Sequence, residues 1–404
     1  MDTFLARQPI FDHRRRVFAY ELLFRSGPEN YFRAPDRVMP SANVISSGML
    51  GIPELTDGKA AFLNFSRESL LADFAFVLSP EEVVIELLES VQGDPEVLQA
   101  CERLKRAGFR IALDDFVEND QTSPLLRYAD FVKVDVLSTS QEERARLAHV
   151  LGTAGIGMLA EKVETWEMFG HVANSGYRYF QGYFFSRPVM VSSKAIPGFR
   201  LNYLRLVEEL SHPTSVDRLE RIIKQEASIA YRLLRRVNSL AFGFRTEVRS
   251  LRHALVLLGE HEIRTSAMVW LLAEIGQESP SEVVVASTIR ARACELLAVE
   301  CSAPVEPSEL FLVGLFSMLD AIMERPMEQV VANLPVSDRV REAMLGTENA
   351  LKAVLDCVRA YERGGWAQAV DLARVAGIDE AALAASYYQA LIWANHVFRQ
   401  PDKS

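Results

Sequence analysis

Two short stretches, Ala112-Leu113-Asp114-Asp115-Phe116 and Val132-Lys133-Val134-Asp135, indicate the fold of the first half of this 404-residue chain. Each is an apolar run typical of a buried strand, and each contains charged residues toward its C-terminal end. A parallel strand that is covered on both faces normally reads as a continuous apolar run. Burying a lone carboxylate costs several kcal/mol unless the group is paired or binds a metal. We therefore expect these charged residues to form a site at the C-terminal edge of a sheet.

The same pattern, an apolar run interrupted by an acid or an amide, occurs in five further segments of the first half. Segments with helical spacing of apolar residues, such as Asp94–Ala107 and Gln141–Thr153, lie between them. Strands that alternate with helices predict crossover connections and a mostly parallel sheet. Seven or eight such units in fewer than 200 residues predict a compact (β/α)8-like barrel. The predicted strands are Val17–Leu23, Ala61–Phe65, Val83–Leu88, Arg110–Phe116, Phe131–Val136, Gly157–Val163 and Tyr177–Phe185.

The second half of the chain reads differently, because helical periodicity dominates from Phe199 onward. The segment Pro188–Gly198 contains two prolines, two serines and a glycine, so we place the domain boundary there. The predicted fold is thus α/β plus all-α, with a barrel domain over 1–193 and a helical domain over 194–404. The longest helical stretches are Val216–Val237, Leu251–Ile275 and Val283–Val299.

The composition is that of a soluble globular protein, with 49% hydrophobic and 24% charged residues. A formal net charge of −10 argues against nucleic acid or an anionic membrane as a partner, although it leaves room for a local basic pocket. The first residues lack the layout of a signal peptide, and no apolar run is long enough to span a membrane. The cysteines are too far apart for a metal or redox motif, which predicts reduced thiols and a cytoplasmic location. They are Cys101, Cys294, Cys301 and Cys357.

In a β/α barrel, the C-terminal ends of the strands meet at one mouth. One polar residue there could be a satisfied core group, but seven at corresponding places are hard to explain in that way. Six acidic or amide side chains at these places would form an all-oxygen ligand set, which selects Mg²⁺, Mn²⁺ or Ca²⁺ over softer ions. Lys133 would add a cation able to hold a phosphate or orient a water, as in a two-metal site for displacement at phosphorus. The oxygen ligands would be Glu21, Asn64, Glu86, Asp114, Asp115 and Glu161.

The pieces with this order and spacing are Gln8-Pro9-Ile10, Glu21-Leu22-Leu23-Phe24-Arg25, Asn64, Glu86, Asp114-Asp115-Phe116, Lys133-Val134-Asp135, Glu161-Lys162-Val163-Glu164 and Gln181-Gly182-Tyr183. In this arrangement the first ~190 residues resemble the EAL domain, the cyclic di-GMP phosphodiesterase. The resemblance implies a barrel that hydrolyses one phosphodiester bond of cyclic di-GMP to give the linear dinucleotide pGpG. It also implies Mg²⁺ or Mn²⁺ as the cofactor, inhibition by Ca²⁺, and a possible homodimer.

The resemblance further implies a role for each matching residue. The first metal would be held by Glu21, Asn64, Glu86 and Asp114, and the second by Asp114, Asp115 and Glu161. The catalytic residues would be Glu21, Lys133, Glu161 and Glu164, with Lys133 orienting the attacking water and Glu164 supporting it. The substrate would be contacted by Gln8, Leu23, Gln181 and Arg25, of which the last would grip a phosphate.

Three features depart from the EAL pattern. Leu22 stands where the family has alanine, and the segment Val117–Leu125 lacks the two glycines that the family has after its paired aspartates. Lys162 stands where the family has glycine. These departures leave two functions open beside a purely structural role, which we rank lowest. One is slow or regulated hydrolysis, and the other is a weak or inactive cyclic di-GMP-binding effector that acts through protein contacts.

The helical half resembles the HDOD domain, a relative of the HD-type phosphohydrolases, in Ala230–Ser239, Ser250–Gly259 and Val313–Asp320. An active HD enzyme needs a His-Asp pair, but this chain contains no such dipeptide and has Ser317-Met318-Leu319-Asp320 in its place. His253 and His261 are better explained as structural or surface residues than as ligands. The resemblance therefore implies a regulatory or interaction module with an unidentified protein partner, as in the EAL–HDOD, or YuxH-like, signalling proteins.

Overall fold

The computed structural model describes residues 3–26, 51–117, 119–186, 198–212, 215–238, 248, 250–276, 281–332, 334 and 336–398. The chain divides into two compact units. The first consists of Met1–Arg187 together with Ala360–Val370, and the second of Pro188–Arg359 and Asp371–Ser404. The domain boundary after residue 193 stays a prediction.

The first unit contains a closed barrel of eight strands in sequence order, which confirms the predicted (β/α)8-like architecture. The pairs from β2–β3 to β7–β8 are all parallel, whereas β1 is antiparallel to both β2 and β8. The strands are β1 Thr3–Asp12, β2 Val17–Ser26, β3 Ala60–Phe65, β4 Val83–Leu87, β5 Arg110–Leu113, β6 Phe131–Asp135, β7 Gly157–Glu161 and β8 Tyr179–Gln181.

The antiparallel strand β1 follows from the short connection between β1 and β2. Only residues 13–16 join the two strands, and a parallel pair would need a crossover of a dozen residues or more. Asp12 closes the turn, because its Oδ1 accepts hydrogen bonds from the backbone N–H groups of Arg14 and Arg16. Arg15 adopts the left-handed conformation with φ 63°. Strands β1 and β2 therefore form a β-hairpin whose turn contains Arg14, Arg15 and Arg16.

Amphipathic helices connect the barrel strands. The helix after β4 begins at Pro95, where Asp94 accepts hydrogen bonds from the N–H groups of Glu96 and Val97. Its buried residues Val97, Ala100, Cys101 and Leu104 recur at helical spacing, so one face packs inward. The helices of this part are α1 Ile52–Thr56, α2 Arg67–Leu71, α3 Pro95–Arg106, α4 Gln141–Thr153 and α5 Trp166–Asn174, with 3-10 turns at Phe74–Val77, Ser123–Tyr128 and Tyr183–Ser186.

The described part of the chain after residue 197 is helical, as predicted. Two of the predicted helical stretches are broken, one at Glu226, which has extended backbone, and one at Gly259 with φ 83°. The helices are α6 Gly198–Ser211, α7 Val216–Gln225, α8 Ala227–Val237, α9 Leu251–Leu258, α10 Glu260–Ile275, α11 Ser281–Leu296, α12 Pro307–Phe316, α13 Leu319–Met323, α14 Met327–Val331, α15 Asp338–Met344, α16 Ala350–Glu362, α17 Trp366–Ala376 and α18 Glu380–Phe398, with a 3-10 turn at Leu297–Val299.

Helices α11 and α12 cross at Gly314, where a Cβ atom would lie 2.5 Å from the backbone of Ala291, so only glycine fits. Within the described parts of the chain, no helix combines the length and the apolar character that crossing a membrane requires.

Candidate active site

A layer of polar side chains lies inside the barrel, directly above an apolar layer. The apolar layer includes Ala19, Phe62, Val84, Ala112, Phe131 and Leu159, which are buried together in the barrel core. Side chains two residues apart on a strand point to the same face, so the residues two positions further on face the interior at the next level. Those residues are Glu21, Asn64, Glu86, Asp114, Lys133 and Glu161. The period of two thus brings six of the predicted site residues together.

Lys133 lies at the centre of this layer, with only 1% of its side chain exposed. Its Nζ atom is 2.9 Å from Asp114 Oδ1, 2.9 Å from Glu161 Oε1 and 3.2 Å from Glu21 Oε2. A fourth ion pair joins it to Glu86, which is fully buried. One ammonium therefore holds four carboxylates that come from β2, β4, β7 and the end of β5.

Two amide side chains extend the cluster. Gln181 at the end of β8 donates from Nε2 to Glu21 Oε2 at 2.7 Å and to Gln8 Oε1 at 2.9 Å. Asn64 donates from Nδ2 to the other oxygen of Glu21 at 3.1 Å. The predicted residues Gln8 and Gln181 thus join the same network as the acids, and both oxygens of Glu21 are held by protein groups.

Burial and mutual repulsion change the acidity of the cluster. Burial raises the pKa of Glu161 to about 7, and the neighbouring acids oppose the stabilising charge of Lys133. Burial, reinforced by Glu21, raises the pKa of Glu86 well above its ordinary range. Burial alone would lower the pKa of Lys133, but the surrounding carboxylates raise it well above its ordinary value. The lysine is therefore a fixed cation, and Glu86 and Glu161 hold their protons more tightly than ordinary carboxyl groups, because one ammonium cannot balance four ionised acids.

The donor set suits a hard divalent cation. Among the described residues, no group of three or more acids, histidines or cysteines stands in metal-binding geometry, because the acids are drawn around Lys133. Several buried oxygens nevertheless find no hydrogen-bond partner in the described part of the chain, and such groups are costly unless something satisfies them. These atoms are Asn64 Oδ1, Glu86 Oε2, Asp115 Oδ1 and Gln181 Oε1. Unsatisfied oxygens among crowded carboxyl groups fit a hard divalent cation.

The turn after β5 carries Asp115, which the sequence assigned to a second metal. Asp115 adopts a left-handed conformation with φ 41°, beside Asp114. Burial and the charge of Asp114 raise its pKa. The turn is fixed by its backbone, because the N–H of Asp114 donates to the carbonyl of Leu87 and the N–H of Phe116 donates to that of Lys133. The two aspartates are therefore held side by side at the mouth.

Lys162, which replaces the glycine of the EAL pattern, has φ 54°, a conformation that favours glycine. Its Nζ atom lies 2.6 Å from Asp135 Oδ2, and its side chain is 53% exposed. Burial alone would raise the pKa of Asp135, but the hydrogen bonds from Lys162 and from the backbone of Leu137 keep it below its ordinary value. This additional cation thus pairs with Asp135 beside the central cluster.

The segment after the paired aspartates closes on itself. The Asn119 side chain accepts hydrogen bonds from the N–H groups of Gln121 and Thr122, and the Thr122 hydroxyl donates to the carbonyl of Val117 at 2.6 Å. A cavity of about 160 Å³ lies between this loop and the ends of β4 and β5, with Asp114 and Asp115 in its wall. Side-chain bonds thus fix a loop that lacks the glycines of the EAL pattern.

Two further predicted site residues, Glu164 and Leu23, lie outside the central cluster. Glu164 follows β7, and its side chain is exposed. Leu23 is half-buried on β2, two positions beyond Glu21. The backbone of Arg25 belongs to β2, but its side chain is outside the described residues. The sequence analysis missed Tyr361 and Arg363, which pack against this part of the barrel, and no sequence motif marks them.

In the helical unit, arginines surround Ser317, where the resemblance to HD enzymes would place a His-Asp pair. The buried Arg290 donates to the Ser317 hydroxyl at 3.2 Å, and Arg359 donates to the Ser317 carbonyl at 3.1 Å. Burial raises the pKa of Asp320. His261 is exposed and has Arg292 as a neighbour at 3.2 Å. Cations thus stand around Ser317.

Comparison with known proteins agrees with this architecture. A family model described as the HDOD domain matches residues 196–351, and one described as the EAL domain matches residues 62–188. The chain is 33% identical to the uncharacterized protein YuxH of Bacillus subtilis, over 98% of this chain and 99% of YuxH. It is 32% identical to the cyclic di-GMP phosphodiesterase CdgJ of Vibrio cholerae, over 90% of this chain and 86% of CdgJ.

Solved structures resemble the chain over less than half of its length. The Klebsiella pneumoniae BlrP1 complex with calcium and cyclic di-GMP is 26% identical and covers 46% of this chain and 56% of its own, with a TM-score of 0.37. A standalone EAL protein of Vibrio cholerae in its cyclic di-GMP-bound form is 23% identical and covers 45% of this chain and 90% of its own, with a TM-score of 0.36.

Proposed function

Because the chain belongs to the EAL–HDOD family of signalling proteins, the YuxH-like proteins, we propose that its barrel hydrolyses cyclic di-GMP to linear pGpG. The observation that carries this proposal is the convergence of four carboxylates on one mouth of the barrel around Lys133. Similarity to CdgJ, whose name records cyclic di-GMP phosphodiesterase activity, supports the same substrate.

In this proposal the acids and Asn64 hold two divalent ions, Mg²⁺ or Mn²⁺, and Ca²⁺ inhibits. The first ion is assigned to Glu21, Asn64, Glu86 and Asp114, and the second to Asp114, Asp115 and Glu161. The bound ions would supply positive charge to the phosphate oxygens and lower the pKa of a water molecule. Their charge would also offset the excess negative charge that the acids carry beyond Lys133.

The chain's own side chains would orient the reactants. Lys133 would donate a hydrogen bond to the attacking water, and Glu164 would support that water from the end of β7. The water oxygen bonds to phosphorus, the P–O3′ bond breaks, and one proton passes by way of the carboxylates to the leaving 3′ oxygen. Gln8, Leu23, Arg25 and Gln181 would contact the dinucleotide, with Arg25 on a phosphate.

The helical half would act as a regulatory or interaction module. Arg290 and Arg359 contact Ser317, where an HD enzyme would need a histidine and an aspartate. This arrangement supports a role without HD-type catalysis. We place this module at 194–404, after a barrel domain at 1–193, and expect it to bind a protein partner. We further propose that the protein works in the cytoplasm, as a possible homodimer, without binding nucleic acid or a membrane.

A second function, binding of cyclic di-GMP without turnover, is favoured by a different observation. The acids already hold Lys133 as an internal cation, and the loop 117–125 is closed by its own side-chain bonds. Both features would raise the cost of arranging the acids around two metal ions. The protein would then be an effector or adaptor whose helical half passes on the bound state.

One experiment separates the two functions. The purified full-length protein is incubated with cyclic di-GMP and Mg²⁺ or Mn²⁺, and chromatography measures the linear dinucleotide. A parallel calorimetric titration in Ca²⁺ measures binding without turnover. Product that disappears in Glu21→Ala supports the phosphodiesterase, and binding without product supports the effector. Neither product nor binding would contradict both.

A further inference from the structure

A segment far along the chain, Ala360–Val370, belongs to the same compact unit as the barrel. The Tyr361 hydroxyl accepts a hydrogen bond from the backbone N–H of Leu5 at 3.1 Å, and Tyr361 is fully buried. The ring of Phe4 lies 5.9 Å from that of Tyr361 and 5.7 Å from that of Trp366. The segment is thus anchored to β1 by a buried aromatic cluster and a hydrogen bond.

The hydrogen bond from Leu5 to Tyr361 compensates for incomplete strand pairing along β1. Strand β8 pairs with β1 only from Ile10 to Asp12, so the earlier residues of β1 lack β8 as a partner. These earlier residues lie at the mouth, since Thr3 pairs with Ser26 at the C-terminal end of β2. Tyr361 satisfies one of their backbone donors. The segment therefore stands at the mouth, on the β1 side.

Gly364 brings the segment into contact with the wall of the site. A Cβ atom at Gly364 would lie 2.9 Å from Cδ1 of Leu23, and Gly364 has φ +71°. Leu23 follows Glu21 by two positions on β2, so both side chains share a face and Leu23 is one level nearer the mouth. The segment consequently borders the space above Glu21, where the ligand of the proposed enzyme would lie.

A chain of hydrogen bonds leads from the segment to the acids. The Arg363 carbonyl accepts a hydrogen bond from Gln8 Nε2 at 3.3 Å. Gln8 Oε1 accepts from Gln181, which also donates to Glu21. An amide has a defined donor and a defined acceptor end, so the carbonyl of Arg363 fixes which way Gln8 presents its oxygen. Gln8 in turn orients the Gln181 amide, and Gln181 orients the Glu21 carboxylate.

The guanidinium of Arg363 is positioned as an anion-binding group. Its Cζ atom lies 5.0 Å from the centre of the Tyr183 ring, just beyond β8, and the Tyr183 hydroxyl donates to the Glu362 carbonyl at 3.3 Å. The Arg363 side chain is exposed, and no carboxylate of the described residues forms an ion pair with it. An arginine stacked on a ring keeps its fork of donors free for a phosphate.

We infer that residues 361–366 are part of the ligand site, and that Arg363, seated on Tyr183, binds a phosphate of the dinucleotide. The inference rests on the proposed function for the identity of the ligand. A mouth lined with carboxylates repels a phosphodiester, so a free cation at its rim adds both affinity and orientation. The segment lies outside the part of the chain that matches the EAL model, residues 62–188.

The test is calorimetric titration of the full-length protein with cyclic di-GMP in Ca²⁺. We expect Arg363→Ala to raise Kd on the order of tenfold or more, because a charge-assisted contact is lost. Arg363→Lys should recover part of the affinity, since it keeps the charge but not the planar fork. Arg106→Ala is the matched control, because Arg106 is an exposed arginine at the C-terminal end of α3, which leads into the start of β5. Wild-type affinity in Arg363→Ala would overturn the inference, as would an equal loss in Arg106→Ala.

Two variants of Tyr183 test whether its ring positions the guanidinium of Arg363. Tyr183→Leu should weaken binding like Arg363→Ala, because the ring face is lost, whereas Tyr183→Phe should bind like the wild type. Equal binding by the leucine and wild-type proteins would contradict the role of the ring. The thermal midpoint of each variant, measured without ligand, identifies any loss that comes from unfolding.

The inference can fail separately from the proposed function. If the wild type binds cyclic di-GMP but forms no product, the effector function stands and the Arg363 comparison keeps its meaning. If the wild type does not bind cyclic di-GMP, the proposed function fails, and a titration with inorganic pyrophosphate tests the anion site. Pyrophosphate binding that is lost in Arg363→Ala would then support the site, and no difference between the two proteins would overturn it.

Discussion

Lys133 on β6 and Glu161 on the neighbouring strand β7 are joined by an ion pair of 2.9 Å inside the barrel, where the lysine side chain is 1% exposed. Three further carboxylates contact the same ammonium. Removing one partner from a buried ion pair leaves an uncompensated charge, which costs far more than the loss of an exposed pair. The stability of the metal-free barrel therefore depends on the same lysine that the proposed reaction uses.

Replacing Lys133 with methionine should destabilise the metal-free protein. We expect Lys133→Met to lower the free energy of unfolding by about 3–5 kcal/mol, because four acids lose the ammonium that they share. Urea denaturation in EDTA measures the change. Lys224→Met, which removes an exposed lysine paired with Glu220, should change stability by less than about 1 kcal/mol. Similar values for the two variants would mean that the cluster is hydrated.

Replacing Glu86 with glutamine should abolish turnover without lowering the stability of the metal-free protein. Burial raises the pKa of Glu86 well above its ordinary range, so ionising this side chain in the metal-free protein is costly. Glu86→Gln should leave the free energy of unfolding in EDTA within about 1 kcal/mol of the wild type, or raise it, because the glutamine is uncharged. Turnover should be lost at the same time, since a metal ligand is removed. A strong fall in stability together with full activity would contradict both assignments.

Metal binding should depend on pH through Glu161, whose pKa burial raises to about 7. A raised carboxylate pKa means that the folded metal-free protein holds this proton more tightly than the unfolded chain. Its contribution to stability is therefore lost as pH rises from the ordinary value toward about 7. A metal ion replaces the proton, so Mg²⁺ should raise the thermal midpoint more at pH 8 than at pH 6.

Differential scanning fluorimetry with Mg²⁺ or EDTA at both pH values measures this difference. Glu161→Gln is the control variant, because it cannot titrate. The pH dependence of the metal effect should shrink in that variant. An equal effect of Mg²⁺ on the wild type at the two pH values would argue against Glu161 as a ligand.

Gly182 should be irreplaceable next to the site. A Cβ atom there would lie 2.2 Å from the carbonyl oxygen of Val163, and Gly182 has φ +142°. Gly182→Ala should cost about 2–3 kcal/mol of stability, because backbone must move. It should also lower turnover by displacing Gln181. Gly170→Ala, in helix α5 with open space around the new methyl group, should be neutral or stabilise by up to about 1 kcal/mol. Chemical denaturation of both variants makes the comparison.

The barrel and most of its polar layer could be predicted, because burial forces a period of two on each strand. A charged residue two positions beyond Val84 or Phe131 has to face the same interior, whatever the loops do. Strand β1 was not among the predicted strands. Its antiparallel direction is set by the four-residue hairpin that follows it and not by its composition. The helix breaks at Glu226 and Gly259 were not predicted either, because each is a change of backbone conformation at one residue within an otherwise helical pattern.

The arrangement around the site was less predictable than its members. The role that the resemblance implies for Lys133, orienting a water, stays a prediction, and no sequence pattern indicated that four acids would contact its ammonium. No sequence pattern marked Tyr361 and Arg363 as residues of the site, because a tyrosine and an arginine are common near the end of a helix. Only the fold brings Tyr361 to Leu5, which is 356 positions away.

That separation has a consequence for how the protein is made. The ribosome releases residues 1–187 long before it reaches Tyr361, and at ~5–20 residues per second the delay is roughly ten to forty seconds. During this time the nascent barrel lacks the partner of Leu5 and the carbonyl that orients Gln8. A chain that stops early is therefore left with an unfinished mouth. Only a chain that extends beyond Arg363 can make both contacts, so under the proposed function a shorter fragment would lack part of its ligand site.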